Sequence, residues 1–337
     1  MSATRRRPVP SAQRVAAPAT RSGTAAAPDI TAVICTYNRH DLLLDAIHGL
    51  QAQTLDPERY EIIVVDNSTD LEARTEFWRA APPSRNLRVL TEDIPGLSRA
   101  RNIGMRAAAA PIIAYIDDDA VAVPEWLEAL LGIFDTDQAV GIAGGPVEPI
   151  WPNSAPPWLH KWLQGFLTIV DLGPQPRMLK ETEWLAGTNI AFRKAALESA
   201  GGFNEMLGRV KSTLLSNEEL AVAKNIHDEG LISFYIPKAR VFHRVHADRV
   251  SQAWMRRRAS WQLVSDILTD SVQNADPQQS WNDLGDYLMR LPPEMRNARG
   301  LFYDTPDPEL FLKQCRALGA LMHLLLDSGQ DPDPIQS

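Results

Sequence analysis

Three consecutive carboxylates, Asp117, Asp118 and Asp119, follow the apolar run Pro111-Ile112-Ile113-Ala114. Ionised groups this close repel one another. They persist together where solvent screens them or where a divalent cation sits among them, and oxygen ligands of this kind suit Mg2+ or Mn2+. An acidic turn before a helix accounts for the same residues, since Pro124 suits a first helical turn and the helix dipole favours nearby acids. A second acidic pair, Glu218-Glu219, stands where Ser216 or Asn217 suits an N-cap, so it can be a dipole partner or a proton acceptor. His243 and His246 close a short β-rich run with Arg244 between them, a better ligand candidate than a lone histidine.

The elements that position these groups follow from apolar patterning. Ile30 to Thr36 and Glu61 to Val65 read as buried strands, Leu87 to Leu90 as a weaker one, and Pro111 to Ala114 as the strand that runs into the acids. Helical spacing follows the first strand at Leu42, Leu43, Ala46, Ile47 and Leu50, and recurs from Gly96 to about Ala110 and from Pro124 to Phe134. Strands with continuous apolar runs alternating with helices predict an α/β fold whose mostly parallel sheet is covered on both faces. Ligands of such sheets bind beyond the carboxyl ends of the strands. Thr36-Tyr37, Asp66 and the acid triplet all fall at those ends.

Later segments add a second wall. Trp184 to Arg193 reads as a small-residue turn feeding a strand, in which Gly187 permits close backbone approach and Thr188 and Asn189 offer hydrogen bonds to a ligand. The helix opened by Glu218 is expected to turn Leu220, Ala223 and Ile226 inward. Seven prolines between Pro146 and Pro176 interrupt regular structure. Within that stretch, Trp158 to Leu167 is aromatic and amphipathic, which suits either a helix packed on the core or an interfacial segment touching a membrane or lipid-linked acceptor. From Ser251 the chain reads as accessory helices, with a loop near Asn274 to Trp281 and a frayed end from Gly329.

Composition narrows the function classes. The 337 residues carry a net charge of −8, with 45% hydrophobic and 23% charged content, ordinary values for a globular chain. Residues 1–28 hold five arginines and no acid, leaving −13 for residues 29–337, which argues against nucleic-acid binding. The basic segment is expected to be a disordered tail, its lack of an amphipathic pattern setting it apart from a transit peptide. The two cysteines, Cys35 and Cys315, lie too far apart to form a redox or metal motif, and no apolar run approaches the roughly 20 residues of a spanning helix. The expected location is the cytoplasm, with peripheral contact at the inner face of the membrane. No Gly-x-Gly-x-x-Gly follows the first strand and no phosphate-wrapping Gly-x-x-x-x-Gly-Lys-Ser/Thr loop occurs.

In this order, Val33-Ile34-Cys35-Thr36-Tyr37-Asn38-Arg39, Val64-Val65-Asp66-Asn67-Ser68, Gly96 to Asn102, the triplet, Gly187-Thr188-Asn189 and Asn217-Glu218-Glu219-Leu220 resemble the family 2 glycosyltransferases of the GT-A fold. The resemblance covers roughly residues 30–265. It implies a nucleotide-sugar donor, a divalent metal (Mg2+ or Mn2+) held at a DXD motif, and transfer of a hexosyl group with inversion to a saccharide or lipid-linked acceptor. It further implies that Thr36 and Tyr37 line the base pocket, that Asp66 hydrogen-bonds the base, and that Arg99 lies near the base or diphosphate. By the same resemblance Asp117 faces the ribose or donor sugar, and Asp119 ligates the metal with His243, His246 being the fallback. Trp184, Gly187, Thr188 and Asn189 would meet the acceptor. The family's base is most often the Asp of a Glu-Asp pair; here that position is Glu219, with Glu218 as the alternative.

The expected division is a tail at 1–28, a catalytic domain at 29–250 with its nucleotide-sugar half at about 29–145 and its acceptor half at about 146–250, and a helical extension at 251–337. A non-catalytic nucleotide-sugar-binding protein would lack a base, which the Glu pair argues against. A metal-dependent nucleotidyltransferase usually begins with a Gly-rich basic loop that is missing here. A receiver-type signalling domain would want an acid pair after the first strand.

Overall fold

The computed structural model describes residues 27–81, 84, 86–209, 213–269 and 277–327. The expected basic tail, except residues 27 and 28, and the expected frayed end lie outside them. The first half alternates β1 (Ile30–Thr36), α1 (His40–Gln51), β2 (Tyr60–Asp66), α2 (Leu71–Ala80), β3 (Leu87–Thr91), α3 (Leu97–Ala107), β4 (Ile112–Asp117), β5 (Ala120–Ala122) and α4 (Trp126–Thr136). The second half runs β6 (Val140–Gly144), β7 (Val147–Ile150), β8 (Arg177–Met178), β9 (Asn189–Arg193), α5 (Lys194–Ser199), α6 (Glu218–Asp228), β10 (Ile232–Tyr235) and β11 (Val241–Arg244). Three helices follow: α7 (Gln252–Leu268), α8 (Pro277–Arg290) and α9 (Pro308–Asp327).

Eight strands form one sheet in the order β3-β2-β1-β4-β9-β6-β10-β8. Strands β3, β2, β1 and β4 run parallel, whereas β9 is antiparallel to both β4 and β6. Alternate residues of each strand serve opposite cores, as period-2 geometry requires. On β4, Ile112, Ala114 and Ile116 pack beneath α1 and α4, while Ile113 and Tyr115 pack toward α3, α5 and α6. Burial on both faces explains why these strands read as unbroken apolar runs.

Register brings the strand ends to one level: Thr36 pairs with Asp66, and Cys35 with Asp117. A second, three-stranded sheet, β5-β11-β7, lies across the triplet's exit. There His243 pairs with Ala120, and the Arg244 amide donates to the Asp119 carbonyl at 2.9 Å. This small sheet is what carries the late histidine to the early acids.

Three local expectations are corrected. Asn217 holds the cap position of α6 at φ 76° without a capping hydrogen bond; its amide instead donates to Asp266 on α7 at 2.7 Å. Tertiary bonding to α7 therefore overrides the local cap. Leu220 is 41% exposed rather than inward, and Val222 and Ile226 fill the buried side of α6. The residues from Pro277 form α8 rather than a loop, Pro being suited to a helix's first turn.

The amphipathic segment is a 3-10 helix at Lys161–Leu167. Leu159, Leu163 and Leu167 pack against Met255 and Ala259 of α7 and Phe311 of α9, while Trp162 remains 54% exposed. No helix among the described residues is long and apolar enough to cross a membrane.

Candidate active site

Beyond the carboxyl ends of β1 and β4 lies a cavity of ≈ 630 Å³, closed on its far side by α6, the 3-10 helix and α7. Its acidic corner is built by the triplet. Asp118 is fully buried, accepts from the Thr36 hydroxyl at 2.7 Å and meets Arg39 Nη2 at 2.5 Å. Burial pushes the Asp118 carboxyl up to about 7, against the pull of Arg39. Its place is structural, tying the end of β1 and Arg39 to the triplet.

Asp119, 3% exposed, points the other way. Its Oδ2 meets Arg39 Nη1 at 2.6 Å and His246 Nε2 at 3.1 Å, and its Oδ1 lies 3.4 Å from His243 Nε2. Burial opposes its charge, but hydrogen bonds from both histidines and the charge of Arg39 hold the carboxyl well below the usual range. Oδ1 is buried, and the long contact to His243 Nε2 is the sole polar approach to it among the described residues. No group of three or more His, Cys, Asp or Glu stands in cation-holding geometry among the described residues. An ionised carboxylate whose buried oxygen makes one long contact, to an imidazole nitrogen, nevertheless fits a divalent cation in kind. Asp119 and His243 would hold it, with His246 beside them, leaving other coordination positions for substrate oxygens. Thr168 Oγ1, 3.1 Å from His243 Nδ1, orients that ring.

The second cluster centres on Arg101. Its guanidinium is 3% exposed and meets Glu219 at 2.8 Å, Glu218 at 3.0 Å and Asp117 at 3.7 Å. Burial works against its charge, but the neighbouring carboxylates keep it protonated. Asp117 also accepts from the Thr188 hydroxyl. Glu218 is buried with Oε2 unpartnered; burial and then repulsion from Glu219 push its carboxyl up to about 7. Glu219 lies toward the cavity against the backbone of Gly187.

A β-carbon at Gly187 would stand 1.7 Å from Glu219 Oε1 and 2.4 Å from Arg101 Nη2. Gly187→Ala is therefore expected to lower stability by about 1–3 kcal/mol, read from thermal melts. It is expected to cut sugar transfer by about 10²-fold through displacement of the carboxylate; wild-type turnover in this variant would show that Glu219 has no positional role.

Thr36, Tyr37, Asp117, Asp119, Trp184, Gly187, Thr188, Glu218, Glu219 and His243 all line the cavity. Three expected residues do not. Asp66 is fully buried behind the rim, its carboxylate taken up by His40 at 2.8 Å, Trp78 at 2.7 Å and the Ser68 amide at 3.0 Å, while the adjacent Asn67 lines the cavity. Arg99 turns outward to Glu92 and Glu205. Asn189 is a core amide that accepts from Trp126 and donates to the Pro146 and Ala239 carbonyls, which leaves it nothing for an acceptor.

Roles for Arg39 and Arg101 were missed in the sequence, although both lie in the motifs quoted. For Arg101 a signal existed: it shares the buried face of α3 with Ala100, Gly104 and Met105, whereas Arg99 does not. Arg209, Arg249 and Arg258 also line the cavity, from a loop, the end of a short 3-10 turn and α7. No local signal marks them.

The family model described as "Glycosyl transferase family 2" matches residues 31–200. A glucosyl-dolichyl phosphate glucuronosyltransferase of Haloferax volcanii is 27% identical over 272 residues, covering 78% of this chain and 82% of that one. The succinoglycan biosynthesis protein ExoM of Rhizobium meliloti is 26% identical over 258 residues, 74% of this chain and 77% of its own. Among solved structures, the mannosyltransferase PcManGT from Pyrobaculum calidifontis, in complex with GDP-Man and Mn2+, superposes with a TM-score of 0.58 at 18% identity, over 90% of this chain and 88% of that one. At that identity the likeness speaks for the GT-A fold.

Proposed function

Because this chain belongs to glycosyl transferase family 2 and is a glycosyltransferase of GT-A fold, we propose that it moves a hexosyl group, with inversion, from a nucleoside-diphosphate sugar to a hydroxyl of a saccharide or lipid-linked acceptor. The observation that carries this reading is the presence of two clusters in the lining of one cavity: a carboxylate–histidine corner at Asp119 and a carboxylate pair at Glu218-Glu219. Inverting displacement needs both, one to hold the leaving group and one to take a proton on the opposite face.

Thr36, Tyr37 and Asn67 would line the nucleotide pocket, with Asp66 holding that rim through His40, Trp78 and Ser68. Asp117, fixed by Thr188 and Arg101, would face the ribose or donor sugar. A bound Mg2+ or Mn2+ offsets the charge that develops on the departing diphosphate. Glu219 accepts the acceptor's hydroxyl proton, the oxygen bonds to the anomeric carbon, and the bond from that carbon to the diphosphate breaks, releasing the nucleoside diphosphate. Arg101 positions the base by holding both glutamates and Asp117. Glu218 is a second reading for the base, favoured by its carboxyl standing near 7.

The catalytic unit is taken as 29–250 and the helices from 251 as an extension, one that nonetheless supplies Arg258 and Gln262 to the cavity. Incubation with a panel of nucleotide sugars and Mn2+ or Mg2+ tests the assignment: at least one donor is expected to show metal-dependent release of nucleoside diphosphate, stopped by a chelator. Turnover of none, with no nucleotide bound, would overturn it.

A further inference from the structure

Charge in the cavity divides unevenly. The lining acids Asp117, Asp119, Glu218 and Glu219 each contact Arg39 or Arg101. Arg209, Arg249 and Arg258 line the same space, and among the described residues none of them meets a carboxylate. Three cations held together in a partly buried wall repel one another. Burial and then the charge of Arg209 push the Arg249 and Arg258 guanidiniums down to about 10. An anion among such like charges offsets their repulsion.

Arg258 shows which side of the cavity that anion occupies. It is 7% exposed, and its Nη2 donates to Ser216 Oγ at 3.0 Å and Gln262 Oε1 at 2.8 Å. Its guanidinium lies over the Phe166 ring at 5.2 Å, and its Nη1 is buried with no partner. The fork is thus fixed on several sides while one donor remains free, a preorganised receptor for a phosphate oxygen. Ser216 stands two residues before Glu218. The carboxylates that act on Arg258 are Asp266, Glu218 and Glu219, whereas Asp119 and Asp248 act on Arg249. Arg258 therefore belongs to the proton-accepting side. Beside it the wall turns apolar, with Trp162, Phe166, Trp184, Leu215 and Leu220.

We propose that Arg258, with Arg209, forms an anion subsite on the acceptor side of the cavity that takes a phosphate ester, the adjoining apolar wall receiving the hydrocarbon attached to it. The inference rests on the glycosyltransferase reading for the identity of the acceptor side. It makes the acceptor a lipid phosphate or glycosyl lipid phosphate rather than a neutral saccharide.

Calorimetric titration of the full chain, saturated with nucleoside diphosphate and Mn2+, tests it with geranyl phosphate, geraniol and inorganic phosphate. Geranyl phosphate is expected to bind at least about tenfold more tightly than either of the others. Arg258→Gln is expected to weaken it by about tenfold or more while nucleotide affinity stays within about twofold, which also reports that the variant folds; Arg258→Lys should recover part of the loss. Arg209→Gln repeats the reading should Arg258→Gln prove unstable. Equal binding of alcohol and phosphate overturns the subsite. Equal binding of inorganic and geranyl phosphate overturns its lipid half. A loss of nucleotide affinity as large as the loss for geranyl phosphate assigns the arginines to the donor diphosphate and overturns the proposal. A chain that binds no nucleotide fails the functional reading instead, and titration of the nucleotide-free protein still reads the subsite.

Discussion

Asp119→Ala is expected to lower sugar transfer by about 10²- to 10³-fold or more, the range lost when a preorganised stabiliser of transition-state charge is removed. Three contacts converge on this carboxylate: Arg39 at 2.6 Å, His246 at 3.1 Å and His243 at 3.4 Å. Its Oδ1, with the long contact to His243 Nε2 as its sole polar approach among the described residues, is the atom that would meet a cation. Truncation removes that oxygen and leaves a guanidinium and two imidazoles without their shared counter-charge. Asp119→Asn separates the two effects, because it keeps the shape and loses the charge. Both variants should bind Mn2+ weakly in a direct titration, and wild type in chelator should fall to a similar rate. Near-normal activity of wild type in chelator would sink the metal assignment.

The same residue has a signature in acid. Its carboxyl is held below the usual range in the folded chain, so the stability it contributes is present above the ordinary carboxylate pKa and is lost as pH falls toward the folded value. Melts between pH 6 and pH 3 should show wild type losing stability more steeply than Asp119→Asn.

How much of this was legible in the sequence depended on range. The parallel core was readable because strands buried on both faces leave continuous apolar runs, as in Ile30 to Thr36 and Ile112 to Ile116. The rim was readable because polar residues end each of those strands. Asp66 and Asn189 were misplaced for one reason: a buried polar side chain at a strand end looks the same in sequence whether it faces a ligand or is saturated by its neighbours. What decides is partners 26 and 63 positions away, His40 and Trp126. Arg99 and Arg101 could have been separated by helical phase, since only Arg101 shares the inward stripe of α3. Arg209, Arg249 and Arg258 could not, because they meet only through the packing of the 3-10 helix and α7 onto the catalytic sheet. The Trp158 to Leu167 segment packs its leucines in the core, as one of its two readings expected, and leaves Trp162 exposed.

Glu219→Gln is expected to cut transfer by about 10²- to 10⁴-fold, the usual worth of a positioned base, while leaving donor and nucleotide affinity within about twofold. Gln keeps a hydrogen bond to the acceptor hydroxyl but cannot take its proton. Glu218→Gln should be milder, because a carboxyl pushed up to about 7 spends much of its time at neutral pH in the protonated form that Gln imitates. Its titration still matters through charge. As pH rises through about 7, Glu218 ionises 3.0 Å from Arg101 and adds a negative charge to the cluster that receives the acceptor's proton. Wild-type transfer should therefore rise across this interval, and Glu218→Gln should flatten that rise. The sign for stability is opposite. A carboxyl with a raised folded value stabilises the fold below its unfolded pKa of about 4.5 and loses that advantage as pH climbs through about 7, so Glu218→Gln should gain melting temperature relative to wild type at pH 8 and not at pH 4. A collapse of transfer in Glu218→Gln with Glu219→Gln active would exchange the two roles, and a pH rise that survives in Glu218→Gln would show that Glu218 is not the group behind it.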